Sequence, residues 1–588
     1  MDNPNSHVND FLHYLPYRLF FLFSFLFLGL FADHIFFYQE KSSLFIFSSD
    51  YLIENLRQPG SLLLYLGRFL SSFYHYRLAG SLIATSIIFL TIIMTARIIS
   101  FMHGKNGGVI PFVAGIGLLF LQANYQYMLF NNLGILLQLL FFYLTIKYLR
   151  GYIPVIIIPL WYFVTGGFAW IFCIMYTFWL VLSGTKKGWA KILLLWFIII
   201  LMIFISGEFL FFQTTMTLIT YPWSKADIGS ETKVFLSLVC ILSVLPFIAK
   251  IRIKIPGLTR ISQVAIIISA TFLMICVLSV LAAQRFDKKT NQYFLIEKLF
   301  YENKYNEVID FNIKHPPNNT LTAYLNNIAL CETGKLNDML FHFPQSPDGR
   351  TLFLKWEIIG EVLRKGGYFY YTTGMINEAH RWAFEYMVMK GYTPEGLIML
   401  IKTELINGNY QIAAKYNSLL KKTLFYRAEA GRFEKLLFND MAVDSDPELG
   451  EKKKIRVRTD FFSITDDPYI NIEIIVATDS ANMKAFDYNI AYLLLKKDFK
   501  SISNSLQEFN RYGYVRIPVH VEEAAIAYKI LNRQSLPDAG RLHIDLSVEL
   551  RFNQFLQTFQ SYGADLKSAE PALKKQFGNT FWYYAFYR

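Results

Sequence analysis

The sequence predicts an all-α protein in which a polytopic membrane helical bundle precedes a soluble helical repeat domain. Apolar residues make up 54% of the 588 residues and charged residues only 17%, unlike the balance of an ordinary soluble chain. The long apolar runs fall before residue 284, and a recurring turn pattern follows it. We therefore expect a transmembrane domain at residues 1–283 and a repeat domain at residues 284–588.

The apolar half contains about nine candidate spans, because a crossing helix needs about 20 apolar residues and fewer inside a bundle. Residues 153–183 are long for one helix and carry Pro154, Pro159 and Gly166-Gly167, which favours a hairpin of two short helices. The predicted spans are residues 19–38, 79–101, 109–123, 127–147, 153–165, 167–183, 192–213, 234–249 and 262–283.

Basic residues predict the orientation of these spans. Four loops between them contain lysine and arginine without acidic residues. If residues 153–183 cross twice, all four loops lie on one side, which the positive-inside tendency makes cytoplasmic. The amino terminus is then cytoplasmic, and residues 284–588 lie in the periplasm outside a bacterial inner membrane. The net charge of +12 thus fits membrane topology better than a nucleic-acid partner. The loop residues are Lys105, Lys147, Arg150, Lys186, Lys187, Lys191, Lys250, Arg252, Lys254 and Arg260.

A turn pattern recurs in the soluble half, as NKYNEV at 303, GKLNDM at 334, GMINEA at 374, GNYQIA at 408 and KDFKSI at 497. Gly374 and Gly408 are 34 positions apart (408 minus 374), the period of tetratricopeptide repeats. We therefore expect a degenerate tetratricopeptide-like solenoid, and we assign no strand to YINIEIIVATD, although its alternation allows one. Such an array presents a concave groove, which either binds a protein partner or serves as a rigid cover for the membrane domain.

Ionisable residues interrupt the first apolar run at LFADHIFFYQE, residues 30–40. Asp33 and Glu40 are seven positions apart and project from the same face if the helix continues, whereas His34 points about 100° away. A charge at the bilayer centre costs roughly 2.5–3.5 kcal/mol, and less toward the edge. Asp33 therefore faces a polar cavity or a partner, or caps or pairs with a basic group where the helix leaves the membrane.

The first outer loop, residues 39–78, is too long for a simple connector. Its segments DYLIENLR and SLLLYLGRFLSSFYHYR are expected to form helices in the outer interface. Glu208, in ISGEFLFF, is expected at the depth of Asp33, so an acidic and basic cluster is predicted at the outer leaflet. The loop contributes Asp50, Glu54, Arg57, Arg68, His75 and Arg77.

This layout, over residues 15–283, resembles the membrane glycosyltransferases of the GT-C fold. The resemblance implies transfer of a sugar from a polyprenyl-phosphate carrier, a catalytic carboxylate in the first outer loop and, in some members, a divalent cation. It departs from several of these families in that Asp33 is followed by histidine rather than by a second acid. The overall layout, with RQPGSLLLYLGRFL and the repeat region, also resembles a Bacteroidota family of polytopic membrane proteins of unassigned activity.

The leading hypothesis is thus a transferase of envelope biogenesis that delivers a sugar or oligosaccharide to an extracytoplasmic acceptor. Asp33 and Glu40 are the candidate catalytic residues, acting on an acceptor hydroxyl or a metal. Membrane lipid and a protein on the repeats are the expected partners. The main alternative is a non-enzymatic membrane-anchored scaffold; a transporter is third, because mid-span charges are rare. The candidate substrate-binding residues are His34, Asp50, Arg57, Arg68, Arg77 and Glu208.

Overall fold

Helices form the secondary structure of the described chain. The computed structural model describes residues 4–103, 108–223, 229–250, 260–357, 360–458, 463–464, 466–479 and 481–588. No strand occurs within these ranges, which confirms the all-α prediction. The stretch YINIEIIVATD lies in a helix from Pro468 to Thr478, which agrees with the absence of a predicted strand there.

The chain forms two compact units. The first comprises Met1–Asn291 and Lys422–Phe425, and the second comprises Gln292–Lys421 and Tyr426–Arg588. The helices up to residue 285 are α1 (Pro4–Phe31), α2 (Asp33–Lys41), α3 (Ser49–Asn55), α4 (Ser61–Ser72), α5 (Arg77–His103), α6 (Ile110–Gln122), α7 (Leu129–Tyr148), α8 (Ile153–Thr165), α9 (Ala169–Ser183), α10 (Lys186–Ile205), α11 (Thr215–Thr220), α12 (Thr232–Ser243), α13 (Leu245–Lys250) and α14 (Arg260–Arg285).

The remaining helices are shorter on average. They are α15 (Lys288–Tyr301), α16 (Tyr305–Lys314), α17 (Thr320–Glu332), α18 (Leu336–Met339), α19 (Gly360–Thr372), α20 (Ile376–Lys390), α21 (Pro394–Asn407), α22 (Tyr410–Lys421), α23 (Arg427–Glu434), α24 (Asp440–Ser445), α25 (Leu449–Lys454), α26 (Pro468–Thr478), α27 (Met483–Lys496), α28 (Phe499–Asn504), α29 (Val519–Asn532), α30 (Leu546–Ser561), α31 (Leu566–Phe577) and α32 (Phe581–Tyr587).

Six apolar stretches within the described residues of the first unit are long enough to cross a membrane. Their length and composition indicate a membrane protein. Two shorter apolar helices, Ile110–Gln122 and Thr232–Ser243, accompany them. The six stretches are Tyr14–Phe31, Arg77–Met102, Leu129–Tyr148, Ile153–Ser183, Lys186–Leu210 and Val264–Arg285.

The Ile153–Ser183 stretch folds back on itself. A 3-10 turn at Gly166–Phe168 separates α8 from α9. Beside the start of α8, the ring of Tyr152 lies 5.6 Å from the Nζ atom of Lys191, near the start of α10. Since α9 ends just before α10 begins, α8 starts and α9 ends at the same end of the bundle.

We call that part of the bundle the lysine end, defined by Lys147, Lys191 and Lys250. Lys147 lies in the last turn of α7, and Lys250 ends α13. The Nζ atom of Lys250 donates a hydrogen bond of 3.4 Å to the carbonyl of Leu182 in α9. Lys105, Arg252 and Lys254, which the sequence groups with these lysines, lie outside the described residues.

The turn at Gly166–Phe168 defines the opposite end of the bundle, which we call the Gly166 end. The N–H of Gly60, just before α4, donates to the carbonyl of Phe163 at 2.8 Å, and the N–H of Gly167 donates to the carbonyl of Tyr221 at 2.7 Å. Gly166 has a φ of +57°, and a Cβ atom there would meet the Tyr221 oxygen at 2.5 Å. The turn therefore requires glycine.

The second unit places consecutive helices against each other with close contacts. Gly366 and Gly367 of α19 face Trp382 of α20, and a Cβ atom on Gly366 would overlap the indole ring. Trp382 is fully buried. Absence of a side chain on one helix thus makes room for the largest side chain on the next.

A charge cluster is buried between α15 and α19. Glu297 accepts from both Arg364 and Lys365, the latter with Nζ 3.1 Å from a carboxylate oxygen of Glu297. Glu361 pairs with the same two cations, and its carboxylate accepts from the Tyr293 hydroxyl at 3.4 Å. Glu297 and Lys365 are 0% exposed. Two carboxylates and two cations balance each other, with three of the four side chains buried and Glu361 37% exposed.

Replacing one member of this cluster is expected to be costly. Glu297→Gln leaves two buried cations facing one carboxylate, and we expect a loss of about 3–5 kcal/mol in the free energy of unfolding. Hydrogen exchange of the full-length protein measures this loss of stability, and we expect faster exchange in α15 and α19 of the variant. Glu434→Gln breaks the exposed pair with Lys421 and should cost about 0–1 kcal/mol. Equal effects of Glu297→Gln and Glu434→Gln would contradict a buried charge cluster at Glu297.

Gly366 offers a second test of packing. Gly366→Ala forces the Trp382 ring to move and should lower the free energy of unfolding by about 1–3 kcal/mol. The matched control is Gly431→Ala in α23, where a Cβ atom meets nothing within 4 Å and should stabilise the helix by up to about 1 kcal/mol. Chemical denaturation followed by tryptophan fluorescence should show opposite shifts of the midpoint.

Candidate functional site

The first apolar helix does not continue through Tyr38, contrary to the predicted span of residues 19–38. It ends at Phe31, and α2 begins at Asp33 after Ala32, whose φ of −121° interrupts the helix. A carboxylate in the first turn interacts favourably with the helix dipole, so Asp33 is well suited to begin a new helix. Within α2, Asp33 and Glu40 remain seven positions apart on one face.

The two candidate catalytic carboxylates have different surroundings. Asp33 is half-buried, and no hydrogen bond or ion pair joins its carboxylate to another residue of the described ranges. Glu40 is 7% exposed, with carboxylate oxygens 3.7 Å from Nδ1 of His75 and 3.8 Å from Nζ of Lys41. Glu40 is thus engaged by basic groups, while Asp33 is the carboxylate available to a ligand.

His34 is buried beside Asp33. Burial lowers the pKa of its imidazole from the ordinary 6.5 to about 4, and the charge of Asp287 opposes that shift. The imidazole is therefore neutral at physiological pH. A neutral imidazole has both a donor and an acceptor nitrogen.

The segment of residues 39–78 contains α3 and α4, which together position Arg68. Ser48 caps α3 by accepting from the N–H of Tyr51. Arg68 is half-buried and donates to the Tyr51 hydroxyl at 3.2 Å and to Oδ1 of Asn55 at 3.4 Å. These bonds tie α4 to α3. In the same segment Gly67 lies against Phe130 of α7, where a Cβ atom would come within 2.7 Å of the Phe130 side chain.

Four other predicted residues are exposed: Asp50 in the first turn of α3, Arg57 after α3, Arg77 at the start of α5 and Glu208 in a π-helical turn. No hydrogen bond or ion pair joins the side chain of any of these four to another described residue. The structure therefore brings Glu40 to His75 and Arg68 to Tyr51 and Asn55. Within the described ranges it does not join Asp33 or Glu208 to a predicted arginine.

A buried amide network lies at the Gly166 end and was missed by the sequence-based prediction. Gln39 of α2 donates to the carbonyls of Tyr125 at 3.2 Å and Tyr127 at 2.9 Å. The Tyr127 hydroxyl donates to Asn132 at 3.0 Å, and Asn132 donates to Gln122 at 2.8 Å. The available signal was the amide residues inside the runs LFLQ and LFNN. The network fixes α2 against the ends of α6 and α7.

A second missed feature is an ion pair between the start of α12 and the end of α14. Glu231 is 7% exposed and accepts from both terminal nitrogens of Arg285, one of them at 2.6 Å. The guanidinium of Arg285 also lies 3.6 Å from the centre of the Phe120 ring. Because Glu231 and Arg285 are far apart in the sequence, no local sequence pattern predicted that they form an ion pair.

Three groups at the Gly166 end of the bundle, one carboxylate and two guanidinium groups, are not bonded to each other. Asp33 is a half-buried carboxylate able to accept a proton or bind a cation, while Arg57 and Arg77 are exposed guanidinium groups able to bind an anion. Among the residues that the structure covers, no group of three or more His, Cys, Asp or Glu side chains is placed to hold a metal ion. A cation at Asp33 would therefore need ligands from a substrate or water.

The low pKa of His34 predicts a pH effect on stability. Between pH 6.5 and about 4, His34 is protonated in the unfolded chain but stays neutral in the folded protein. The free energy of unfolding therefore falls as the pH is lowered through this range. His34→Gln should remove this part of the pH dependence, whereas His315→Gln, at an exposed position, should leave it unchanged. Thermal unfolding at a series of pH values measures both. An unchanged slope in His34→Gln would contradict the burial of a neutral imidazole.

Comparison with known proteins places the chain in a family by sequence. No curated protein and no solved structure matches it. The model of a family of unknown function, DUF6057, matches residues 11–588. Because this match covers nearly the whole sequence, the chain belongs to the DUF6057 family.

Proposed function

We propose that this protein is an inner-membrane transferase of envelope biogenesis with a GT-C-like membrane domain. It moves a sugar or oligosaccharide from a polyprenyl-phosphate carrier to an extracytoplasmic acceptor. The observation that carries the proposal is Asp33 in the first turn of α2, whose half-buried carboxylate has no hydrogen bond or ion pair to another described residue. Such a group can take the proton of an acceptor hydroxyl or hold a divalent cation beside the carrier's phosphate.

The distribution of charge supports an outward-facing site. With the lysine end in the cytoplasm, as the positive-inside tendency favours, the Gly166 end faces the periplasm. Gln39 attaches α2 to the ends of α6 and α7 at this end, so Asp33 lies there too. Carrier-linked sugars and their acceptors would meet at this surface.

The exposed guanidinium groups are the proposed phosphate ligands. Arg57 and Arg77 flank α4 in the sequence, and their side chains have no hydrogen bond or ion pair to another residue in the described ranges. Each can bind a phosphate with two parallel hydrogen bonds. Arg68 has a different role in this proposal, because its bonds to Tyr51 and Asn55 hold α3 on α4.

The second unit is proposed to be a tetratricopeptide-like solenoid that holds the acceptor or a partner enzyme. Successive helices α19 to α22 pack on their neighbours, and Gly374 and Gly408, both with positive φ, end α19 and α21. Arrays of this kind present extended concave surfaces for proteins and peptides.

A non-enzymatic scaffold is the second candidate function. It is favoured by the scattered positions of the predicted arginines, because Arg68 is already engaged and no described contact joins Arg57 or Arg77 to Asp33. In that case the repeats bind envelope proteins, and the first unit anchors the chain.

The transferase is tested by substitution of its carboxylates. Asp33→Asn should lower transfer by about 10²–10⁴-fold, the range of general-base catalysis, and Glu40→Gln should abolish the same envelope glycan. Mass spectrometry of envelope glycans in cells expressing equal amounts of each variant measures this. Glu54→Gln, at an exposed acid of α3, is the matched control and should retain transfer.

The scaffold hypothesis predicts the opposite effects of these substitutions. It predicts that Asp33→Asn and Glu40→Gln are tolerated, and that changes within residues 374–420 are harmful. Phe384→Glu and Ile412→Glu alter side chains that are 41% and 44% exposed, so both should fold. Loss of envelope integrity in these variants, with normal glycans in Asp33→Asn, would exclude the transferase.

A further inference from the structure

Four cations come together at the lysine end, where the end of α7 and the start of α8 meet the start of α10. Lys147 lies in the last turn of α7, and Arg150 follows it in the turn before α8. Lys187 and Lys191 lie one turn apart near the start of α10. Tyr152, two positions after Arg150, has its ring 5.6 Å from the Nζ atom of Lys191, so the two segments are neighbours. We call Lys147, Arg150, Lys187 and Lys191 the cationic cluster.

Aromatic side chains hold two of these ammonium groups in place. The Nζ atom of Lys147 donates to the Tyr143 hydroxyl at 3.3 Å and lies 4.9 Å from the centre of the Tyr148 ring. The Nζ atom of Lys191 has the Tyr152 ring as its neighbour. Aromatic rings attract cations without carrying a net negative charge, so these contacts orient the positive charges and do not neutralise them.

Carboxylates do not balance the cationic cluster. The sequence contains no Asp or Glu between Glu54 and Glu208, a tract that includes all of α4 to α10. Within the described ranges, none of the four members forms an ion pair, whereas the guanidinium of Arg285 in the same unit pairs with Glu231. Like charges held close together repel each other, and an anion from outside the chain lowers that energy.

The surroundings of the cationic cluster favour a lipid as the source of that anion. Tyr148, Tyr152 and Trp189 are 62%, 43% and 56% exposed, and tyrosine and tryptophan are enriched at the depth of the lipid headgroups. Ile156 and Leu160 follow Tyr152 at intervals of four positions on one side of α8, and they are 67% and 66% exposed. Unbalanced cations beside an apolar stripe match the headgroup and the acyl chain of an anionic phospholipid.

We infer that the cationic cluster binds an anionic glycerophospholipid of the phosphatidylglycerol class. The lipid phosphate accepts hydrogen bonds from Lys147, Arg150 and Lys191, and one acyl chain lies along the Ile156 and Leu160 stripe of α8. A zwitterionic lipid has the same phosphate but also an ammonium group of its own, so it leaves the cationic cluster unbalanced. The site lies at the opposite end of the bundle from Gln39 and α2, and it does not depend on the proposed transfer reaction.

Lipid retention by the full-length protein tests the inference. The delipidated protein in detergent is incubated with phosphatidylglycerol or phosphatidylcholine of the same acyl composition, and native mass spectrometry counts the retained lipid. We expect about tenfold higher retention of phosphatidylglycerol at low salt, and a smaller preference at high salt because salt screens exposed charges.

Substitutions then locate the headgroup. Lys191→Gln should lower phosphatidylglycerol retention about fivefold, the effect of one basic residue near a charged surface, while Lys191→Arg keeps the charge and should retain the lipid. The matched control is Lys233→Gln, at an exposed lysine of α12 two positions from Glu231, and it should change nothing. Equal losses in Lys191→Gln and Lys233→Gln would overturn the inference, because they would show attraction by the overall charge alone.

Two further measurements separate this site from other sources of phosphate and from other surfaces. An excess of inorganic phosphate should leave the bound phosphatidylglycerol in place, since it supplies no acyl chain. In the wild-type protein, a phosphatidylglycerol with a photoreactive acyl chain should label α8 around Ile156 and Leu160. Displacement of the lipid by inorganic phosphate, equal retention of the two lipids, or labelling confined to helices other than α7, α8 and α10 would each overturn the inference.

Discussion

Main-chain hydrogen bonding in an apolar environment is the constraint on which the Gly166 end of the bundle depends. Buried irregular backbone is stable only where its N–H and C=O groups find hydrogen-bond partners. The turn between α8 and α9 meets this demand by bonding to two distant segments, through Gly60 and Tyr221. Because both bonds are backbone to backbone, the chain needs a close approach rather than a particular polar side chain, and glycine allows that approach. The segment before α4, the α8–α9 hairpin and the segment after α11 are consequently held together.

The same constraint explains why α2 provides the leading candidate site. The break at Ala32 separates a membrane helix from a short helix whose first turn contains Asp33. Gln39, farther along α2, bonds to main-chain carbonyls and holds this short helix in position. Asp33 and Glu40 share a helix but differ in environment, because only Glu40 faces nearby basic groups. A single element thus holds one engaged carboxylate and one available carboxylate.

Local sequence patterns predicted much of the fold, but they did not predict contacts between residues distant in the sequence. The apolar runs indicated a membrane protein, and Gly166-Gly167 marked the turn between α8 and α9, because composition and glycine act over a few residues. The interruption at Ala32 was missed, since hydropathy does not report a backbone angle. The eight candidate residues were identified by charge and depth alone, and burial then separated them: Glu40 is enclosed while Arg57 is exposed. The pair of Glu231 with Arg285 joins residues 54 positions apart, beyond any local period.

The charge balance of the Glu297 cluster has a consequence for how sequences of this family diverge. Two acids and two bases meet between α15 and α19, and all but Glu361 are buried. Removing Glu297 or either base leaves an uncompensated buried ion. Replacement of the whole set by apolar residues of similar volume is much better tolerated. A change from the charged cluster to an apolar one by single mutations therefore passes through destabilised intermediates. The cluster should therefore persist through drift, or disappear from a lineage as a group, so that its four positions covary.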